Sequence, residues 1–216
     1  MIGVENVVKS FEIIPSDKAN EILLKNMDNS GEKNFLYVFA GPNGSGKSTL
    51  IANFYKLGIF KNVKYINADI YAKTIFKDVK NEKERNYQAM FYTMENIKNN
   101  IKSKDSVIYE TVMSHPSKLD LIKKYKENEY KIFSIFISPN KPSINIKRVA
   151  KRVEEGGHNV AQEKITQRFF RSNALKEDLM KLSDVYYEID NTNLPKIAKF
   201  NLKYRGLNTL ENQNVR

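Results

Sequence analysis

The sequence predicts an α/β fold built on one mostly parallel sheet, and three observations lead to it. Short β-rich apolar runs recur along the chain, and each is followed by a stretch of helical periodicity. The first of these runs passes directly into a glycine-rich turn. Alternation of this kind requires crossover connections, which place helices on both faces of a parallel sheet. The expected architecture is three-layered, with five strands. A length of 216 residues suits one compact domain, and 41% hydrophobic content excludes a wholly disordered chain.

Residues 1–33 mix helix-like and polar stretches and close on the breaker cluster Asp28-Asn29-Ser30-Gly31, so a helical lead-in is expected there. Phe35 to Ala40 reads as a buried strand running into Gly41-Pro42-Asn43-Gly44-Ser45-Gly46-Lys47-Ser48-Thr49 and then a helix. A second strand, Val63 to Ile66, leads into Asn67-Ala68-Asp69, followed by helices over about 70–79 and 82–102. In the second of these, Tyr87, Met90, Phe91, Met94, Ile97 and Ile101 recur at helical spacing and are expected in the core. The third strand, Val107 to Tyr109, ends at Glu110; a basic helix (117–127) and the fourth strand, Ile132 to Ile137, come next. Helical pattern covers 142–155, breaks at Gly156-Gly157 and resumes over about 161–182. The fifth strand, Val185 to Ile189, precedes a polar tail over 193–216. The main domain is expected over 34–192, including an Arg-rich lid over 142–182.

Composition removes several function classes. No apolar run reaches membrane-spanning length, and the start lacks the long apolar stretch of a signal peptide. The absence of cysteine rules out disulfides and thiolate metal sites and suits a cytoplasmic location. With two histidines besides, a structural zinc site is not expected. The net charge of +11 invites a nucleic-acid reading, but the lysines are spread along the chain as on solvated helix faces. Arginine is scarcer, and four of the seven (Arg148, Arg152, Arg168, Arg171) fall in one short segment.

Gly41 to Ser48 meets the pattern G-x-x-x-x-G-K-[ST] between a strand and a helix, the context that a phosphate loop requires. Glycines let backbone N–H groups turn inward around phosphate oxygens, which a Cβ would obstruct. Lys47 would meet the β- and γ-phosphates and the Ser48 hydroxyl would ligate Mg²⁺, with ATP or GTP as the nucleotide. The helix N-terminus adds its positive dipole end. An LSGGQ-like segment, an NKxD pattern and a long hydrophobic strand ending in an acidic pair are all absent, which argues against ABC, GTPase and motor types. A small-kinase layout remains.

AGPNGSGKST, NAD at 67–69, ETVMS at 110–114, RVAKRVEEGGHNV at 148–160 and ITQRFFRS at 165–172 together resemble the zeta-toxin family, in particular its chromosomal branch. The resemblance spans roughly 34–192. It implies a P-loop kinase fold with an Arg-rich lid, transfer of the γ-phosphoryl group to a small-molecule hydroxyl, and neutralisation by a small antitoxin. Characterised members phosphorylate UDP-N-acetylglucosamine. This chain has Glu-Thr-Val where they carry a Glu-Gly-Thr arrangement, a departure in the region that meets the nucleotide sugar.

Asp69 lies at the carboxyl edge of the sheet, where it could accept the acceptor hydroxyl's proton; its position resembles the family's catalytic aspartate, and the alternative is a helix N-cap. Glu110 could hold Mg²⁺ through water or meet a substrate hydroxyl, with Thr111 and Ser114 as neighbouring substrate contacts. Arg152 and Arg168 are expected to close over the γ-phosphate, against the alternative of ion pairs with Glu154, Glu155 and Glu163. Arg148 and Arg171 divide evenly between these roles. His158 could touch ligand or cap a loop, His115 carries no signal, and Asn191 is a cofactor-site candidate beyond the last strand. Two competing functions stand beside the small-molecule kinase: a polynucleotide or RNA kinase, and a nucleotide-binding switch acting through a protein partner.

Overall fold

The structure, a computed structural model, describes residues 12–14, 34–60, 63–157, 159–193 and 202–205. Its strands are β1 (Glu12–Ile14), β2 (Phe35–Ala40), β3 (Lys64–Ile66), β4 (Val107–Thr111), β5 (Lys131–Ser138), β6 (Val185–Asp190) and β7 (Leu202–Arg205). Helices are α1 (Lys47–Lys56), α2 (Ala68–Thr74), α3 (Glu82–Ser103), α4 (Ser117–Glu127), α5 (Pro142–Glu154), α6 (Gln162–Ala174) and α7 (Lys176–Leu182). The sheet order is β1-β7-β6-β5-β2-β4-β3. From β6 to β3 every pairing is parallel, which is the five-stranded body expected from sequence.

Two further short strands extend the sheet beyond that expectation. β7 pairs antiparallel with β6, and β1 antiparallel with β7. β1 lies inside the segment expected to be a helical lead-in, and β7 inside the expected polar tail. Three or four residues are too few for periodicity to declare a strand, and pairing of β7 with the edge at β6, and of β1 with β7, supplies what the local pattern lacks. The rest of the lead-in and tail, and His158, lie outside the described residues.

β2 is buried along its whole length because it is covered on both faces. Phe35, Tyr37 and Phe39 turn to the side of α1, packing with Leu50, Ile51, Phe54 and Phe60. Leu36, Val38 and Ala40 turn the other way, toward Leu119, Ile122 and Tyr125 of α4 and Leu179 of α7. Alternation at period two thus feeds two apolar layers from one strand.

Helix α3 departs from expectation. Ile97 and Ile101 pack against the core, but Tyr87 is 61% exposed, Phe91 59%, Met94 53% and Met90 50%. The reason is length: 22 helical residues extend about 33 Å, whereas β3 and β4 have only 3 and 5 residues. The C-terminal half therefore enters the sheet's core, while the N-terminal half buries Ala89 and packs Tyr92 against Tyr71 and Phe76. The helix expected over 70–79 stops at Thr74, and that expected over 161–182 is divided at Leu175. There the Leu175 N–H is shared between the Arg171 and Ser172 carbonyls, a tightened turn that delivers Leu179 fully buried into the core.

Candidate functional site

The chain leaves β2 for β3 on one side of the sheet and later crosses from β4 to β5 on the other. β2 is thus the switch point, and the crevice at its carboxyl end is where ligands bind in open α/β sheets. Register brings Phe39 opposite Glu110 and Ala40 opposite Thr111, so Glu110 stands beside the start of the loop.

Gly41 to Gly46 form the turn between β2 and α1. Gly41 has φ 142°, and a Cβ there would lie 1.9 Å from the Ile137 carbonyl oxygen. Gly46 precedes α1 with φ 93°, where a Cβ would meet the Asn191 amide nitrogen at 2.8 Å. Gly41 has no room for a side chain, and at Gly46 the left-handed φ strains any other residue. The loop is held from two directions. Asn145 of α5 donates to the Asn43 carbonyl at 2.5 Å, and Asn191 Nδ2 donates to the Ser45 carbonyl at 2.7 Å. Ser45 Oγ and Arg148 Nη1 are buried without a hydrogen-bond partner, the condition of polar atoms that a nucleotide could satisfy.

Lys47 is buried, and its Nζ donates to the carbonyls of Gly41 (2.8 Å) and Pro42 (2.9 Å). Burial lowers its pKa to about 8; Glu110 and Asp69 act upward, while Arg152 adds to the depression. Those charges therefore converge on one ammonium group. Ser48 Oγ donates to Glu110 Oε1 at 2.8 Å, joining the phosphate loop to β4. Glu110 Oε2 accepts from the Tyr65 hydroxyl and from Asn67 Nδ2 (3.3 Å). Burial and the Glu110 carboxylate push the Tyr65 phenol well above its usual value, so it remains a donor.

Asp69 is exposed in the first turn of α2. The N-cap of that helix is Asn67, whose Oδ1 accepts from the Asp69 N–H at 2.9 Å and the Ile70 N–H at 3.3 Å. The cap role considered for Asp69 is thus filled by its neighbour. Thr111 has a structural contact as well as the substrate role expected of it. It is buried, and its hydroxyl accepts the Met113 N–H at 3.1 Å, shaping the turn that follows β4. Ser114 is half-buried at the end of that turn, and Thr49 is exposed in the first turn of α1.

Among the arginines, Arg168 Nη1 of α6 reaches Asn43 Oδ1 in the phosphate loop at 3.2 Å. Arg148 Nη2 donates to the Asn191 carbonyl at 2.7 Å, bracing the loop after β6. Arg152, near the end of α5, and Arg171 of α6 are exposed. His115 is structural: its Nδ1 accepts the Ser117 N–H at 3.2 Å at the start of α4. From sequence alone Tyr65 and Asn145 carry no role, and Asn67 enters only within the motif at 67–69. Only the spacing of Tyr65 and Asn67, two apart at the end of a strand, hints at a shared direction.

The donor set suits a nucleotide-borne cation. Among the described residues no cluster of three His, Asp or Glu could hold a metal. One hydroxyl and one carboxylate leave positions open for phosphate oxygens and water, as Mg²⁺ in phosphoryl-transfer sites requires.

A glycine-rich loop at the switch point of a β6-β5-β2-β4-β3 parallel sheet defines a P-loop kinase-like α/β protein. Residues 20–196 match the family model for zeta toxin, and the chain belongs to the zeta toxin family. Solved structures with the same fold include that of the PezAT chromosomal toxin–antitoxin system of Streptococcus pneumoniae. There the identity is 14% and the TM-score 0.56, with 81% of this chain and 76% of that one covered. AvrRxo1-ORF1:-ORF2 with ATP gives 15% identity, a TM-score of 0.60 and coverage of 80% and 62%. The Pnkp1/Rnl/Hen1 RNA repair complex gives 22%, 0.56 and 70% of this chain against 48% of the other, so the chain spans about half of that relative. No curated protein matches. No helix among the described residues is long and apolar enough to cross a membrane.

Proposed function

We propose that this protein transfers the γ-phosphoryl group of ATP to a hydroxyl of a small-molecule acceptor, with a nucleotide sugar such as UDP-N-acetylglucosamine as the first acceptor to test. The observation that carries the reading is the Ser48–Glu110 hydrogen bond of 2.8 Å, which brings the phosphate loop and a carboxylate from a separate strand to one point. Around it, each residue has a defined task. Backbone N–H groups of Gly44 to Ser48 cradle the phosphates, and Lys47 leaves its two carbonyl partners to meet the β- and γ-oxygens. Ser48 and Glu110 would hold Mg²⁺, which would supply charge neutralisation for the β- and γ-phosphates. Asp69 orients the acceptor hydroxyl and takes its proton. Arg152 and Arg168 meet the charge that develops on the transferred group.

A second reading, phosphorylation of polynucleotide ends, draws on the charge of +11 and the likeness to the RNA repair complex. A small protein partner acting as antitoxin is proposed from the likeness to the PezAT toxin–antitoxin system. The test is transfer from γ-labelled ATP, offered nucleotide sugars, nucleosides, oligonucleotides and water in parallel, with products identified by mass. Labelled small-molecule product supports the first reading. Label on oligonucleotide ends, with binding that survives about physiological salt, promotes the second. Release of inorganic phosphate alone overturns both in favour of a nucleotide-hydrolysing switch.

A further inference from the structure

The two oxygens of Glu110 are used differently. Oε1 faces the phosphate loop and accepts from Ser48 at 2.8 Å. Oε2 is held from behind by the Tyr65 hydroxyl and by Asn67 Nδ2 at 3.3 Å, and Asn67 Nδ2 also donates to the Tyr65 oxygen at 3.0 Å. Both holders are fixed by other contacts. The Tyr65 ring packs against the core cluster that includes Phe39 and Phe54. Asn67 is immobilised through its other end, because Oδ1 caps α2 through the N–H groups of Asp69 and Ile70. A single amide therefore sets the position of Glu110 with one atom and the start of the Asp69 helix with the other.

We infer that Tyr65, assisted by Asn67, is a positioning residue that locks the Glu110 carboxylate so that one oxygen is presented beside Ser48 for the divalent cation accompanying the nucleotide. This rests on the phosphotransferase reading above. Both holders are neutral donors. Lysine or arginine at either place would anchor the carboxylate equally well but would cancel the charge the cation needs. A glutamate left unheld would sample several rotamers and would have to be ordered when the metal binds, at a cost in affinity.

The test is direct binding of Mn²⁺ in the presence of ADP, followed by electron paramagnetic resonance on the full chain. The variants are Tyr65→Phe, Glu110→Gln, their double variant, and Asn67→Ser, which keeps a capping oxygen but loses the amide donor. Tyr65→Phe is expected to bind Mn²⁺ about tenfold more weakly, the usual effect of removing a residue that orients a metal ligand. ADP binding in the presence of chelator and the melting temperature stay near wild type. Asn67→Ser weakens Mn²⁺ in the same direction and serves alone if the phenylalanine variant does not fold. In the Glu110→Gln background, Tyr65→Phe adds nothing, because its effect passes through the carboxylate. Wild-type Mn²⁺ affinity in both Tyr65→Phe and Asn67→Ser, or losses that multiply in the double variant, overturns the inference. The underlying reading fails separately, by Lys47→Ala leaving ADP binding intact.

Discussion

Asn191 and Ser45 lie 146 positions apart in sequence, yet the Asn191 side chain donates to the Ser45 carbonyl at 2.7 Å, within the interior. Arg148 then donates to the Asn191 carbonyl at 2.7 Å. The chain beyond β6 is thereby tied to the phosphate loop and to α5 at once. Asn191, a cofactor-site candidate from sequence, has its side-chain amide committed to the loop's backbone.

Asn191→Ala removes a donor and leaves a buried carbonyl unpaired, which costs about 1–3 kcal/mol. The midpoint of urea unfolding should fall accordingly, and nucleotide affinity should fall with it as the loop loses its brace. Unchanged nucleotide affinity in a measurably destabilised variant would show that the brace serves folding alone.

How far the sequence could be read depends on the range of the interaction. β2 and the loop after it were legible because a continuous apolar run and a spaced glycine pattern are local signals. Glu110 was legible as a carboxylate at a strand end, but its holders were not. Tyr65 reads as an ordinary strand residue until the pairing of β3 with β4 brings it to Glu110. The apolar face of α3 misled for a related reason. Helical spacing shows which side of a helix is apolar, whereas burial depends on whether the sheet extends far enough to cover it. Thr111 is a substrate-contact candidate by adjacency to Glu110, whereas the hydrogen bond that its hydroxyl accepts from the Met113 N–H shows only in the structure.

Asp69 can now be tested without the ambiguity of a helix cap, since Asn67 fills that role. Asp69→Asn preserves size but cannot accept a proton. We expect kcat to fall by at least about 100-fold, the scale of general-base catalysis, with ATP affinity within a few-fold and the melting temperature unchanged. Retained kcat in a folded variant would remove Asp69 from the chemistry.

Lys47 provides a pH signature. Burial lowers its pKa to about 8, with Glu110 and Asp69 opposing and Arg152 reinforcing that shift. The ammonium form predominates below that value and is the form that attracts phosphate. Nucleotide binding should therefore weaken as pH rises through about 8, and bound phosphate should move the inflection upward. Its effect on stability has the opposite sign. Between about 8 and the unfolded value of 10.5 the unfolded chain holds more protons, so this group's contribution favours folding increasingly as pH rises. Titration of ADP binding across pH 7 to 9.5, beside Lys47→Arg, checks the assignment. A flat profile in wild type would exclude it.

The Arg-rich segment expected to act as a lid carries the most sequence-specific part of the family resemblance, and the Arg168–Asn43 contact gives that proposal a physical handle. With its Nη1 at 3.2 Å from Asn43 Oδ1, the guanidinium already touches the loop that would hold the phosphates. Arg152 is close enough to Lys47 to depress its pKa, which places a second guanidinium's charge on the same centre. If both act on charge developing in transfer, a lysine at either position keeps the charge but loses the planar fork that meets two oxygens. Arg152→Lys and Arg168→Lys should each lower kcat about tenfold or more, near 1.4 kcal/mol, with little change in the dissociation constant for ATP. The double variant should be less damaged than the product of the singles, because the two share one task. An arginine that only tethers α6 to Asn43 would behave differently. Arg168→Lys would then lower the melting temperature, and Asn43→Ala would reproduce that loss, while kcat stayed near wild type. Wild-type kcat in both lysine variants would take the two arginines out of the transfer step and leave the phosphate loop, Glu110 and Asp69 to account for it alone.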